Sequence, residues 1–270
     1  MSGGFPIGLE VCNGQTVGAT SSGATTGTTI TASGSTNTKG SYSQIVASTT
    51  YDANFVMINI INTTANSTIL VDIAIGGAGS EQIVISNLWV AQSASGVQAT
   101  AFYAFPLNIK AATRISARNQ STVASGTCQV AMQLFSGSFA HIPGYAGYDA
   151  IGADTSASTG TSITVSATAN TLGSYVQLTS STARAYAGIC GMITLGNNTQ
   201  RTLTNIAIGG AGSEKVIIPN ILFRTPAAVC GISIPFIPIP IPSGNRIAAT
   251  AQNSASSGNS PVLALYGAYL

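Results

Sequence analysis

Asp72–Leu88 reads DIAIGGAGSEQIVISNL, and Asn205–Ile221 reads NIAIGGAGSEKVIIPNI, 133 residues further on. Eleven of the seventeen positions are identical, and three of the other six exchange Ile, Val and Leu. The correspondence extends outward. Gly40, Ser41, Tyr42 and Gln44 return as Gly173, Ser174, Tyr175 and Gln177 at the same offset. Pro106, Ile109, Arg114 and Ile115 return as Pro238, Ile241, Arg246 and Ile247 at an offset of 132. A period this long exceeds the roughly 20 to 50 residues of a solenoid unit and has the size of a small domain. The chain therefore reads as two copies of one domain, copy one over 20–135 and copy two over 154–270. An extended N-terminal arm (1–19) and a linker (136–153) lie outside them.

Within each copy the apolar pattern is short, β-branched and alternating. In copy one, strands are expected near Thr28–Ala32, Tyr42–Ser48, Asn54–Asn62, Thr68–Ile75, Gln82–Val90, Gln98–Ile109, Thr113–Arg118 and Gly126–Phe135. Polar turn clusters such as SGSTNTKG, NTTANS, GGAGS and NQSTVAS separate them. Strands spaced about 8 to 12 residues apart indicate an antiparallel sandwich or barrel, and no helical apolar stripe competes with them. Eight strands per copy predict an all-β chain of two tandem jelly-roll-like sandwiches from an internal duplication, with another Greek-key order as the alternative. In copy two, Ile237, Ile239 and Ile241 alternate with Pro238, Pro240 and Pro242. This predicts an edge strand with isoleucines inward and prolines outward, since proline has no N–H to give a neighbouring strand. The same places in copy one put Phe105, Leu107 and Ile109 inward, and Pro106, Asn108 and Lys110 outward.

Composition narrows the function. Charged residues are 6% of the chain, against about 25% in ordinary soluble proteins, so the solvated faces are covered by hydroxyls and amides. A net charge of +2 is a poor basis for binding nucleic acid, which requires Lys and Arg to neutralise phosphates. No apolar run reaches the roughly 18 residues of a membrane helix, so no membrane partner is expected. The first residues show no basic start followed by an apolar stretch. The expectation is a protein made in a cytoplasm that reaches its destination by assembly.

Few residues offer chemistry. The duplicated GGAGSE superficially resembles a phosphate cradle, but strand-like QIVISNL and KVIIPNI follow where a helix N-terminus would be needed. A hairpin using glycine at positive φ fits better. Glu81, Arg114, Glu214 and Arg246 are the only charges kept by both copies and read as structural bridges. His141, the only histidine, falls in the linker and can build neither a zinc site nor a Ser-His-Asp triad alone. Asp149 and Glu10 lie outside the copies and Asp154 is the first residue of copy two, so paired carboxylates are scarce. Neither an enzyme nor a cofactor is expected. The four cysteines do not repeat between the copies and read as buried thiols. Tyr42 and Tyr175 read as core residues. Sequon matches such as Asn197–Thr199 read as chance in a Thr/Asn-rich chain. In the arm, Phe5, Ile7, Leu9 and Val11 form an apolar set suited to contact with a partner.

IAIGGAGSE followed by a strand, then the Ile-Pro alternation leading into Ser243–Ala249 (SGNRIAA), resembles small all-β structural proteins encoded by tailed bacteriophages. The resemblance covers both repeats. It implies a virion protein (head decoration, neck or collar, fibre or tail component) that meets other virion proteins and copies of itself as a homo-oligomer. It brings no catalytic residues. A receptor- or glycan-binding sandwich at a fibre tip or cell surface is the alternative.

Overall fold

The computed structural model describes residues 13–20, 26–91, 99–137, 144–194, 200–224, 231–256 and 260–270. Phe5, Ile7, Leu9, Glu10, Val11, Cys12, His141, Asn197–Thr199 and Cys230 lie outside them. Among the described residues the protein is all-β, without helices, and its sheets are open, with no barrel.

The first half carries β1 (Gly14–Val17), β2 (Ala19–Thr20), β3 (Thr26–Thr31), β4 (Ser43–Val46) and β5 (Phe55–Asn62). It continues with β6 (Ile69–Ile75), β7 (Gln82–Val90), β8 (Ala99–Phe105), β9 (Ile115–Ser121) and β10 (Thr127–Phe135). The second half repeats the series as β11 (Gly147–Ile151), β12 (Ala153–Asp154), β13 (Thr159–Ser162), β14 (Val176–Thr179) and β15 (Gly188–Thr194). The rest are β16 (Thr202–Ile208), β17 (Lys215–Phe223), β18 (Ile232–Ile237), β19 (Ile247–Asn253) and β20 (Val262–Tyr269).

Period-two alternation builds these strands. FVMINIIN in β5 and TCQVAMQLF in β10 bury every second side chain, as a sheet with one face on a core must. In the first half the strand order is β3-β10-β5-β8 in one sheet and β4-β9-β6-β7 in the other. The second half has β13-β20-β15-β18 and β14-β19-β16-β17. Register is repeated down to the irregularities. The β6–β7 ladder slips between Val71 and Ile73, and β16–β17 slips between the matching Thr204 and Ile206.

Two stretches set aside as arm and linker carry strands. β1 pairs with β10 (Gly14↔Phe135) and β2 with β3, while β11 pairs with β20 (Gly147↔Tyr269) and β12 with β13. GQTVGAT lacks the apolar alternation that marks a strand; its neighbours in the sheet define it.

The halves share one sheet. β11 lies between β20 and β7, meeting β7 in parallel at Tyr148↔Ile85, so ten strands run on from one half into the other. The approach is tight. A Cβ on Gly147 would lie 2.7 Å from Val84 O and 2.3 Å from the Tyr269 hydroxyl, so only glycine fits there. Two hydrophobic clusters persist nonetheless. One is built on Ile58, Ile73, Trp89 and Phe105, the other on Ile189, Ile206, Ile247 and Leu265.

The proline run departs from its expected form. β18 ends at Ile237, Ile239 N turns back to Ile237 O (2.8 Å), and Ile241 forms an isolated antiparallel bridge with Tyr186. The alternation of faces is present: the three prolines are exposed, Ile237 and Ile239 are half-buried, and Ile241 is 1% exposed. In the first half Pro106 is buried instead of outward, because the second half covers it and the Tyr148 hydroxyl donates to its carbonyl (3.0 Å).

Candidate functional site

The GGAGSE segments are hairpins. Gly76 and Gly79 hold φ of 108° and 84°, and Gly209 and Gly212 hold 116° and 82°, conformations that only glycine adopts without strain. Each hairpin is clasped by the retained charge pair. Arg114 Nη1 donates to Glu81 Oε1 (3.0 Å) and to Gly76 O (3.0 Å), and Gly79 N donates to Glu81 Oε2 (2.9 Å). Arg246 Nη1 does the same to Glu214 Oε1 (2.9 Å) and Gly209 O (3.1 Å), with Gly212 N on Glu214 Oε2 (2.9 Å). Gln44 and Gln177, also repeated in sequence, accept from Arg114 Nε (3.2 Å) and Arg246 Nε (3.1 Å). Both carboxyls are held below the ordinary glutamate value, first by their own backbone N–H and then by the arginine. The loop amides and the arginine are thus engaged by the chain's own carboxylate.

A second charged cluster belongs to the first half alone. Buried Asp72 takes Lys39 Nζ (2.8 Å) and Arg118 Nε (2.9 Å), and its Oδ1 accepts the Asn87 backbone N–H (2.9 Å). Arg118 also lies over the Tyr42 ring, 4.7 Å from its centroid. Tyr42 and Tyr175 are half-buried and do not form part of either core, a correction to the sequence reading. Burial lowers the Lys39 ammonium even though Asp72 draws it upward. No sequence signal linked these three positions, because Lys39, Asp72 and Arg118 sit on three different segments and none is charged in the second half.

All six described carboxylates hold structure. Asp52 pairs with Lys110 and Asp149 with Arg184, while Asp154 accepts the Ser156 hydroxyl and backbone N–H; Asp72, Glu81 and Glu214 are engaged as above. No three metal-ligating side chains cluster among the described residues. Cys128 and Cys190 are buried free thiols, and burial pushes Cys128 up to about 12.

The seam between the halves is the most elaborate polar feature. The Tyr266 hydroxyl accepts the Trp89 backbone N–H (2.7 Å) and donates to Asn87 O (3.2 Å); the Tyr103 hydroxyl donates to Trp89 O. Around these bonds pack Phe105, Tyr148, Cys190 and Met192, all in the first half's cluster. At the far end of the seam, Gln120 Nε2 donates to Thr155 O (2.7 Å) and to Ser158 Oγ (3.0 Å). Ser158 Oγ in turn donates to Asn37 Oδ1 (2.8 Å). Sequence reasoning missed the seam, since a contact between copies leaves no trace in a repeat. Comparison with known proteins finds no matching family model and no curated protein of similar sequence.

Proposed function

We propose that this chain is a non-enzymatic structural protein of a bacteriophage virion, present in several copies as a decoration, neck or collar, fibre or tail component. We further infer that it consists of two jelly-roll-like sandwiches derived from one by duplication. The strand orders support the second point. In each half the eight strands from β3 and from β13 onward fall into two rows of four in the same order, the arrangement of a double Greek key.

The observation that carries the functional reading is how the charges are used. Every described carboxylate clasps a turn, anchors a strand or pairs with a neighbouring cation, in a chain that is only 6% charged. Acid–base catalysis requires a carboxyl or histidine free to work on a substrate, whereas each of these carboxylates, exposed Asp52 and Asp154 included, is bonded within the fold. Such a body, rigid across a buried aromatic seam and covered with hydroxyls, suits a particle component that takes its place by contact with other virion proteins and with copies of itself.

The test is a quantitative mass-spectrometric inventory of density-purified particles of the phage that encodes the chain, with antibody labelling in the electron microscope. Peptides at several copies per particle and label at a fixed place are the expected result. A chain absent from purified particles would overturn the reading; selective retention on a glycan array would replace it with the receptor-binding one.

A further inference from the structure

The seam has two sides, and each side recurs elsewhere in the chain without its partner. On the first half, the covered side includes Asn37, Leu70, Trp89 and Gln120; Trp89 is 2% exposed and Leu70 is fully buried. At the matching places the second half carries Asn170, Leu203, Leu222 and Gln252. Asn170 and Gln252 keep the residue types that grip Ser158 and Thr155, and Asn37 and Asn170 share a left-handed backbone with φ of 54° and 55°. The local frame is repeated too. Thr68 N donates to Thr122 Oγ1 and Arg201 N to Ser254 Oγ. With Arg201, the four second-half residues line an open groove of about 260 Å³. Leu222, in the place of Trp89, is 67% exposed.

The covering side recurs as well. Cys190, Met192, Ala264 and Tyr266 point out of the β15–β20 sheet and are buried in the seam. Their first-half equivalents on β5 and β10 are Met57, Asn59, Ala131 and Gln133, paired in the same register and only half-buried. The second half thus shows an acceptor groove with the seam's own residue types, and the first half shows the equivalent of the face that fills it.

We propose that the groove on the second half receives the first half of another copy of this chain, repeating between chains the seam made within one. The two faces differ, so the contact is heterologous: it closes into a ring if the rotation permits and otherwise extends as a filament. It is weaker than the inner seam. Pro219 stands where Ser86 accepts the Ala150 N–H, and Gln133 stands where Tyr266 caps Trp89, so the strand-to-strand and tyrosine bonds are not repeated. The tether that holds the inner contact at an effective concentration on the order of millimolar is also missing. The proposal deepens the reading of a multi-copy structural protein and rests only on its premise of self-contact.

Sedimentation velocity on the purified full chain, up to about 1 mM to match a short tether, tests it. The expected result is concentration-dependent oligomers that Leu222→Asp in the groove and Ala131→Arg on the opposite face each abolish. Leu222 is exposed and Ala131 lies half-buried on an outward sheet face; Gln252→Arg is a second groove variant and Gln133→Arg a second face variant should either fail to fold. Mixing Leu222→Asp with Ala131→Arg should restore one dimer and nothing larger, because one intact groove then meets one intact face. A wild-type chain that stays monomeric throughout overturns the proposal. So does association that survives the groove variants, or a mixture that fails to dimerise. A monomeric chain that is nonetheless found on particles would overturn this contact while leaving the virion reading intact.

Discussion

At the bulge inside the GGAGSE hairpin's second strand, the two halves solve one problem with different chemistry. Asn87 and Asn220 both adopt a left-handed backbone (φ 51° and 53°), which turns their N–H groups off the ladder and toward position 72 or 205. Asp72 accepts the first at 2.9 Å and Asn205 the second at 2.7 Å. Around Asp72 the chain adds Lys39 and Arg118. At the places matching Lys39 and Arg118 the second half has Leu172 and Thr250, and Thr250 donates to the Gly173 carbonyl (2.7 Å). The shared requirement is an acceptor oxygen for a part-buried amide that the left-handed turn takes off the ladder. The charge is an addition of the first half, and having introduced a buried carboxylate, that half must compensate it with two cations.

The contrast can be broken by substitution. Asp72→Ala strands two partly buried cations as well as an amide and should cost about 3 to 5 kcal/mol; Asn205→Ala loses only the bond to a part-buried amide and should cost about 0.5 to 1.5 kcal/mol. Equal costs in urea unfolding would mean the cations contribute nothing. The seam offers a second matched pair. Trp89→Ala should cost about 3 to 5 kcal/mol, whereas Leu222→Ala at the same place in the other half should stay within about 0.5 kcal/mol of wild type in dilute protein. A large loss at Leu222 would show that the second half covers it from within. Next come Ile109→Ala and Ile241→Ala, both 1% exposed, at about 2 to 5 kcal/mol each. Ile239→Ala should cost less than either, because Ile239 is half-buried; a reversed order would invert the assignment of faces along the proline run.

Much of each half was legible before any coordinates. Period-two alternation marked β5, β7 and β10 to within a residue, and the repeated Gly76, Gly79, Glu81 and Arg114 marked a hairpin with its clasp. These are local signals, in which a pattern of a few residues fixes a conformation. What escaped was set by distant partners. β1 and β11 are strands because β10 and β20 offer them register, and neither GQTV nor GYDAI announces it. Tyr42 packs beneath Arg118, seventy-six residues further along the chain, instead of into the core. Pro106 is buried by a half that its own alternation could not foresee. A repeat reports what both copies share, and the seam is what they do not.

The clasps are where the halves agree most closely, and acid should expose that agreement. Glu81 and Glu214 both have carboxyls lowered by folding, chiefly by their own backbone N–H, then by the arginine and the glycine amide. A group with a lowered folded value takes up its proton more readily when unfolded. Its contribution is therefore complete above the ordinary glutamate value, about 4.3, and is lost as the pH falls from there through the folded value. Asp52, lowered chiefly by the Ala111 N–H, and Asp154, lowered chiefly by the Ser156 hydroxyl, add to the same acid limb. Glu81→Gln and Glu214→Gln should each flatten the fall in stability below about pH 4.3 by a similar amount. Together they should flatten it by the sum, since the clasps lie in separate halves and share no partner. Chemical denaturation at a series of pH values reads this directly. An acid limb that keeps its full steepness in the double variant would show that the clasps hold geometry alone and that the aspartates carry the whole pH dependence.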